Sequence, residues 1–312
     1  MGAPTVYRWD DANAPVAHGL GGTSLIAILK ACLVDGYGEK AAAGWTMPFV
    51  NAAGTKAAFR NNENTGTGFY LQVDNTPTLN GLAVQLMGYE SMSDVDTGVT
   101  PFSSARLCGT SSTATSTARP WMIIADDRFF YYWCWYSTAT TVDLATTTPY
   151  IAAGFCFGDC IALDPDDNYF CILAGNDASW WRNTTFYLSA STTATTSHQV
   201  VARNIAGDNK DTLFALIDAG GPHVFTGYGV SLGIASGRVA GAEVISRPYV
   251  NNGVIRSIRG YYPGYWTVSI GSTEVTCFET LERNGLNLLL INYIANTTNV
   301  QVAIDISENF RP

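Results

Sequence analysis

Ala125-Asp126-Asp127-Arg128-Phe129-Phe130-Tyr131-Tyr132-Trp133-Cys134-Trp135-Tyr136 is the stretch that decides the fold. Neighbouring side chains of a β-strand point to opposite faces. Phe129, Tyr131, Trp133 and Trp135 therefore share one face, and Phe130, Tyr132, Cys134 and Tyr136 share the other. Both faces are apolar, so such a strand needs cover on two sides, from a second layer of its own chain or from another chain. Ala125-Asp126-Asp127-Arg128, between the apolar run from Pro120 and this one, reads as a tight hairpin turn.

The same grammar extends in both directions. Short β-rich runs separated by Asn, Gly and Thr turns predict strands at Trp45–Val50, Lys56–Arg60, Phe69–Asp74, Gly81–Tyr89, Pro120–Ala125 and Arg128–Ser137. They continue at Tyr150–Phe157, Tyr169–Ala174, Trp181–Ser189, Gln199–Ala202 and Thr212–Ile217. The last third adds Ala242–Arg247, Val254–Arg259, Trp266–Ile270, Thr273–Glu279, Leu286–Ile294 and Val300–Ile306. No helices intervene, so the class is mainly β, with antiparallel layers of sandwich or barrel type.

One short N-terminal helix is expected over Ser24–Val34, with Thr23 as N-cap and Gly36 as C-cap. It would bury Leu25, Leu29, Cys32 and Leu33 and turn Lys30 outward. Two Thr/Ser-rich segments, Thr110–Thr117 and Ser189–Ser197, read as exposed loops or edges. Gly220-Gly221-Pro222 marks a candidate boundary between a larger part, 1–219, and a C-terminal β part, 220–312.

Composition narrows the function classes. Of 312 residues, 47% are hydrophobic and 14% charged, which excludes a disordered chain and a coiled coil. The net charge of −9 argues against electrostatic nucleic-acid binding. No basic segment precedes an apolar one at the N-terminus, so no signal peptide is expected. No run approaches the ~20 apolar residues of a membrane span. The 7 cysteines are odd in number and scattered, which fits buried reduced thiols and synthesis in a reducing cytoplasm.

Candidate chemistry is sparse. Gly19-Leu20-Gly21-Gly22-Thr23-Ser24 lacks the Gly-Lys-Ser/Thr ending of a phosphate loop, so it reads as a turn before the helix. Asp164, Asp166 and Asn168 have the 1-3-5 spacing of calcium ligands. Tyr169 and Gly175 stand where the glycine and bidentate glutamate of that motif belong, so a polar turn is the expectation. Cys156 and Cys160 lack a second ligand pair, and His18, His198 and His223 are isolated, so no metal or cofactor site is expected. Asp10-Asp11, Asp94/Asp96 and Asp126-Asp127 are carboxylate pairs that a glycosidase could use, but each sits at a turn or strand end. No catalytic residue is expected.

The aromatic clusters are more informative: the Phe129 strand, Trp180-Trp181, and Tyr261-Tyr262-Pro263-Gly264-Tyr265-Trp266. A sugar-stacking platform and a subunit interface both use such residues; the low charge favours the interface. The interface candidates are Phe129, Tyr131, Trp133, Trp135, Trp180, Trp181, Tyr261, Tyr262 and Trp266.

Segments across most of the chain carry a resemblance. Val6–Pro15, Gly22–Gly38, Ala43–Phe49, Gly88–Gly98, Ile124–Phe130 and Arg259–Tyr265 resemble tailed-bacteriophage virion structural proteins of the tail- and baseplate-associated type. The resemblance implies a setting, the virion, and marks no functional residue. The expectation is a non-enzymatic structural subunit of the tail, baseplate or neck, made in the bacterial host cytoplasm. It would assemble with copies of itself and with other virion proteins, without nucleic acid or membrane. The alternatives are a receptor-binding or capsid-decoration β-sandwich contacting host surface glycan, and a tail-associated hydrolase.

Overall fold

The computed structural model describes residues 2–18, 23–78, 83–99, 102, 105–109, 116–135, 152–175, 199–203, 207, 244–246, 250–252, 257–269, 278–283, 285–291 and 300–311. Strands make up 52% of these residues, and every pairing between them is antiparallel. The sheets are open and stacked; none closes into a barrel among the described residues.

The central sheet has six strands in the order Thr5–Arg8, Trp121–Ala125, Phe129–Trp135, Ala152–Asp159, Cys171–Ala174 and Gln199–Val201. Its middle is the hairpin expected from Asp126-Asp127, in register Ala125↔Phe130 through Trp121↔Cys134. Asp126 shapes the turn: its Oδ1 accepts the backbone N–H groups of Arg128 (2.9 Å) and Phe129 (2.7 Å).

The front sheet has five strands, Thr46–Val50, Lys56–Arg60, Tyr70–Thr78, Ala83–Tyr89 and Arg106–Gly109. Its inner face, with Phe59, Leu71, Val73, Val84 and Leu86, packs on Phe130, Tyr132, Cys134, Phe155 and Phe157 of the central sheet. The back sheet also has five, ordered Val244–Ser246, Tyr265–Ser269, Val300–Asp305, Leu286–Ile291 and Thr280–Arg283. Tyr265, Leu289, Ile291 and Ile304 of this sheet meet Phe129, Tyr131, Trp133 and Trp135. The central sheet is thus the middle of three layers, and the cover for its second face comes from the same chain.

Three of the buried rings place their polar edge on a backbone carbonyl, as burial favours. Tyr131 donates its hydroxyl to the Pro263 carbonyl (2.8 Å), Trp121 its indole N–H to Pro15 (2.9 Å), and Trp45 to Asp126 (2.8 Å). Gly158, opposite Phe129, has φ +130, and a Cβ there would lie 2.1 Å from the Arg128 carbonyl oxygen. No other residue fits that position without moving the hairpin.

The helix buries Leu25, Leu29, Cys32 and Leu33 as the spacing predicts, and also Ile26 and Ile28. Lys30 faces outward and pairs with Asp35. The departure is at the end, where the α-helix Thr23–Leu29 widens into a π-helical turn over Lys30–Asp35. The Gly36 N–H bonds the Ala31 carbonyl (2.8 Å), while the carbonyls of Cys32 and Leu33 are taken by the N–H groups of Ala43 and Trp45 (both 3.0 Å). The loop that follows captures the last carbonyls, and the turn loosens to release them.

The strands expected at Trp181–Ser189 and Thr212–Ile217, and the boundary at 220–222, lie outside the described residues. So do residues 273–277 of the strand expected at Thr273–Glu279; the strand found there is Thr280–Arg283. Residues from both sides of that boundary share one apolar cluster, from Phe129 to Phe310.

Two substitutions probe this architecture. Trp133→Ala, which empties the second face of the central sheet, should cost about 3–5 kcal/mol in urea unfolding. Leu29→Asp, which buries an unpaired charge, should cost about 3 kcal/mol or more.

Candidate functional site

The interface candidates separate into three groups. Phe129, Tyr131, Trp133, Trp135 and Tyr262 are each 0–1% exposed within the chain itself. They are core residues of the stacked layers, covered by the back sheet rather than by another subunit. Tyr261 and Trp266 are half-buried. Trp266 lies with Leu281 and Leu286 over Leu288, Leu290 and Ala303, on the back-sheet face turned away from the central sheet. Trp180 and Trp181 lie outside the described residues.

Charged side chains mark the other constellation. The Asp164–Asn168 run is a turn: Asp164 Oδ1 accepts the Asp166 N–H (3.0 Å), and the Asp167 N–H bonds the Asp164 carbonyl (3.1 Å). The Asp167 side chain, 0% exposed, is held by the Arg259 guanidinium, 1% exposed, at 2.6 and 2.9 Å. Arg259 also donates to the Arg203 carbonyl (2.7 Å) and lies 4.6 Å from the Phe170 ring centre. Arg203 in turn grips Glu90 (2.5 and 2.9 Å), which links the end of the central sheet to the front sheet. Asp167, outside the 1-3-5 set, is committed to Arg259, and within that set Asp164 Oδ1 is used by the turn itself.

A second constellation lies at the hairpin tip. Arg311 pairs with Asp126 and donates to the Asp159 carbonyl (2.6 Å). Asp127 accepts from Asn62 (3.0 Å) and Thr65 (2.5 Å). Asp159 points away from the acidic turn and accepts from the N–H and hydroxyl of Thr67 (2.8 and 2.6 Å). These contacts join the central hairpin to a front-sheet loop and to the end of the back layer. Asp126, Asp127 and Arg311 line an open pocket of about 460 Å³ with Thr5, Thr65, Arg128, Gly2 and four alanines. Its charged groups are bonded to one another across the wall.

The other carboxylate pairs are engaged too. Asp10 holds Arg8 (2.8 Å), and Asp11 accepts from Tyr37 (2.8 Å). Asp96 takes Lys56 and Gln72 (2.8 and 2.7 Å). Cys156 and Cys160 share an apolar cluster, and burial pushes both thiols well above their usual range, the wrong direction for a thiolate ligand or nucleophile. Among the described residues no three His, Cys, Asp or Glu side chains gather as a metal-binding group. His198, His223 and Cys277 lie outside those residues.

Sequence reading missed the arginines. The available signal was Arg259 between Ile258 and Gly260, and Arg311 after Phe310: cations beside apolar residues in a chain with few charges. No protein-family model and no curated protein matches the chain.

Removing one member of the buried pair leaves an uncompensated charge. Arg259→Met or Asp167→Leu alone should therefore cost about 3–5 kcal/mol, and the double variant should recover most of it. A double variant no better than the singles would show that the guanidinium acts through its other contacts. Burial raises the Asp159 carboxyl above its ordinary value, against the Thr67 hydrogen bonds and the Arg311 charge. The native state then holds this proton more tightly than the unfolded one. Its contribution is full below the ordinary aspartate value and is lost as pH rises through the raised one. Stability relative to Asp159→Asn should fall with rising pH across that window, as denaturation at stepped pH would show.

Proposed function

We propose that the chain is a non-enzymatic structural subunit of a tailed-bacteriophage virion, in the tail, baseplate or neck. It is made in the host cytoplasm and assembles with copies of itself and with other virion proteins. The observation that supports this reading is how the polar chemistry is used. Asp11, Asp96, Asp126, Asp127, Asp159 and Asp167 each hold an intramolecular partner that ties one element to another. Such a chain uses its carboxylates to fix shape, which a subunit of a particle needs. The segments resembling virion proteins run through the same elements, among them the helix and the Ile124–Phe130 hairpin.

The half-buried Trp266, Leu281 and Leu286 supply the self-association surface in this reading. Nucleic acid is an unsuitable partner for a net charge of −9. No helix among the described residues is long and apolar enough to cross a membrane.

The test is location and association. Cryo-electron microscopy of particles from the encoding phage should place the chain in the tail, baseplate or neck; absence from purified particles overturns the reading. Sedimentation velocity should show an oligomer whose interface exceeds roughly 1,000 Å² in total. Trp266→Asp should shift that oligomer toward monomer. Saturable binding on a glycan array, with the protein on the outside of the particle, would instead favour a receptor-binding or decoration role.

A further inference from the structure

The front sheet carries a small structure on its outer face that the stacking of layers does not require. After Tyr89 the chain forms a hairpin, Ser91–Asp94 paired with Thr97–Val99, and folds back over strands Lys56–Arg60 and Tyr70–Thr78. Nearly all of it is exposed, Val99 at 55%. Beneath it, Ala58, Tyr70 and Tyr89 form a buried apolar cluster, joined by Phe49, Met87 and the hairpin's own Met92.

The hairpin is fixed at two places. At its root the Glu90 N–H bonds the Val99 carbonyl (2.9 Å), and the Glu90 carboxylate is paired with Arg203. At its tip Asp96, with φ 57, closes a reciprocal clasp. Gln72 donates its amide to Asp96 Oδ1 (2.7 Å) while the Asp96 N–H returns a bond to Gln72 Oε1 (2.6 Å). Lys56, also paired with Asp74 (2.9 Å), bonds Asp96 Oδ2 (2.8 Å).

The two fixings are unequal. Asp96 is 54% exposed, so water competes for its bonds, whereas the root is joined to the central sheet through an ion pair whose members are each 27% exposed. We infer that Ser91–Val99 is a strap that opens at the Asp96 clasp while its root stays pinned, uncovering the Tyr70–Tyr89 face without unfolding the three layers. The geometry separates the motions: among the described residues no strand of the central sheet pairs with the strap, and the apolar contact it gives up there is that of Met92. Exposed strands with few buried contacts belong to the low-stability units of a fold.

Hydrogen–deuterium exchange on the full chain tests this. Asp96→Ala should speed amide exchange in 91–99 by about tenfold or more, as loss of a charge-assisted clasp implies. Exchange in 121–135 should stay at the wild-type rate, and binding of an apolar dye should rise. Gln72→Glu sets a carboxylate against Asp96 and should give the same pattern, which guards against an idiosyncratic effect of one variant. Unchanged exchange in 91–99 for both variants overturns the inference, because the clasp would then not hold the strap. Faster exchange in 91–99 and 121–135 together also overturns it, because the hairpin would then open only with the body.

Discussion

Burial of both faces of Phe129–Trp135 is the constraint on which the rest of the structure depends. A strand with rings on alternate sides cannot lie on the surface of a two-layer sandwich. Each fully buried large apolar side chain contributes about 1.5–3 kcal/mol, and that gain is made only where a layer covers it. The front sheet covers Phe130, Tyr132 and Cys134, and the back sheet covers Phe129, Tyr131, Trp133 and Trp135. The helix then closes the remaining end of the front core with Leu25, Leu29 and Leu33.

Apolar stacking leaves the relative register of the layers loosely specified, since rings tolerate sliding. Buried and half-buried charges supply what stacking lacks. Arg259–Asp167, Arg203–Glu90 and Arg311–Asp126 each join elements that are not neighbours in sequence. Such pairs add little net stability, because desolvation offsets most of their attraction. They do penalise wrong arrangements, in which a guanidinium would be buried without its carboxylate. A chain with 14% charged residues thus places several of them where they fix geometry.

Much of the fold was legible because its signals are local. Flanking turn residues located Lys56–Arg60 to the residue, and period-two alternation assigned both faces of the Phe129 strand. What escaped was either too short or non-local. Ala17–His18 and Ile161–Ala162 are two-residue strands with no period to read, and Ser91–Val99 is polar throughout except for Met92, Val95 and Val99. The π-helical turn arises from bonds to Ala43 and Trp45, beyond any helical window. The aromatic strand left a second layer or another chain open, the low charge turned the reading toward a subunit interface, and Leu289, Ile291 and Ile304 correct it, because they cover that face from the same chain. The charged constellations depend on partners far apart in sequence, 185 residues in the case of Arg311 and Asp126.

That separation has a consequence for synthesis. The central hairpin leaves the ribosome long before the strands Leu286–Ile291 and Val300–Asp305 that cover its second face. At translation rates of about 5–20 residues per second, the Tyr131–Trp135 face waits roughly 8–30 s for its layer. During that interval the nascent chain presents the kind of aromatic sheet surface that chaperones bind and that neighbouring chains on a polysome can join. The three-layer design therefore makes folding late, and its yield dependent on how well the cell shields one strand.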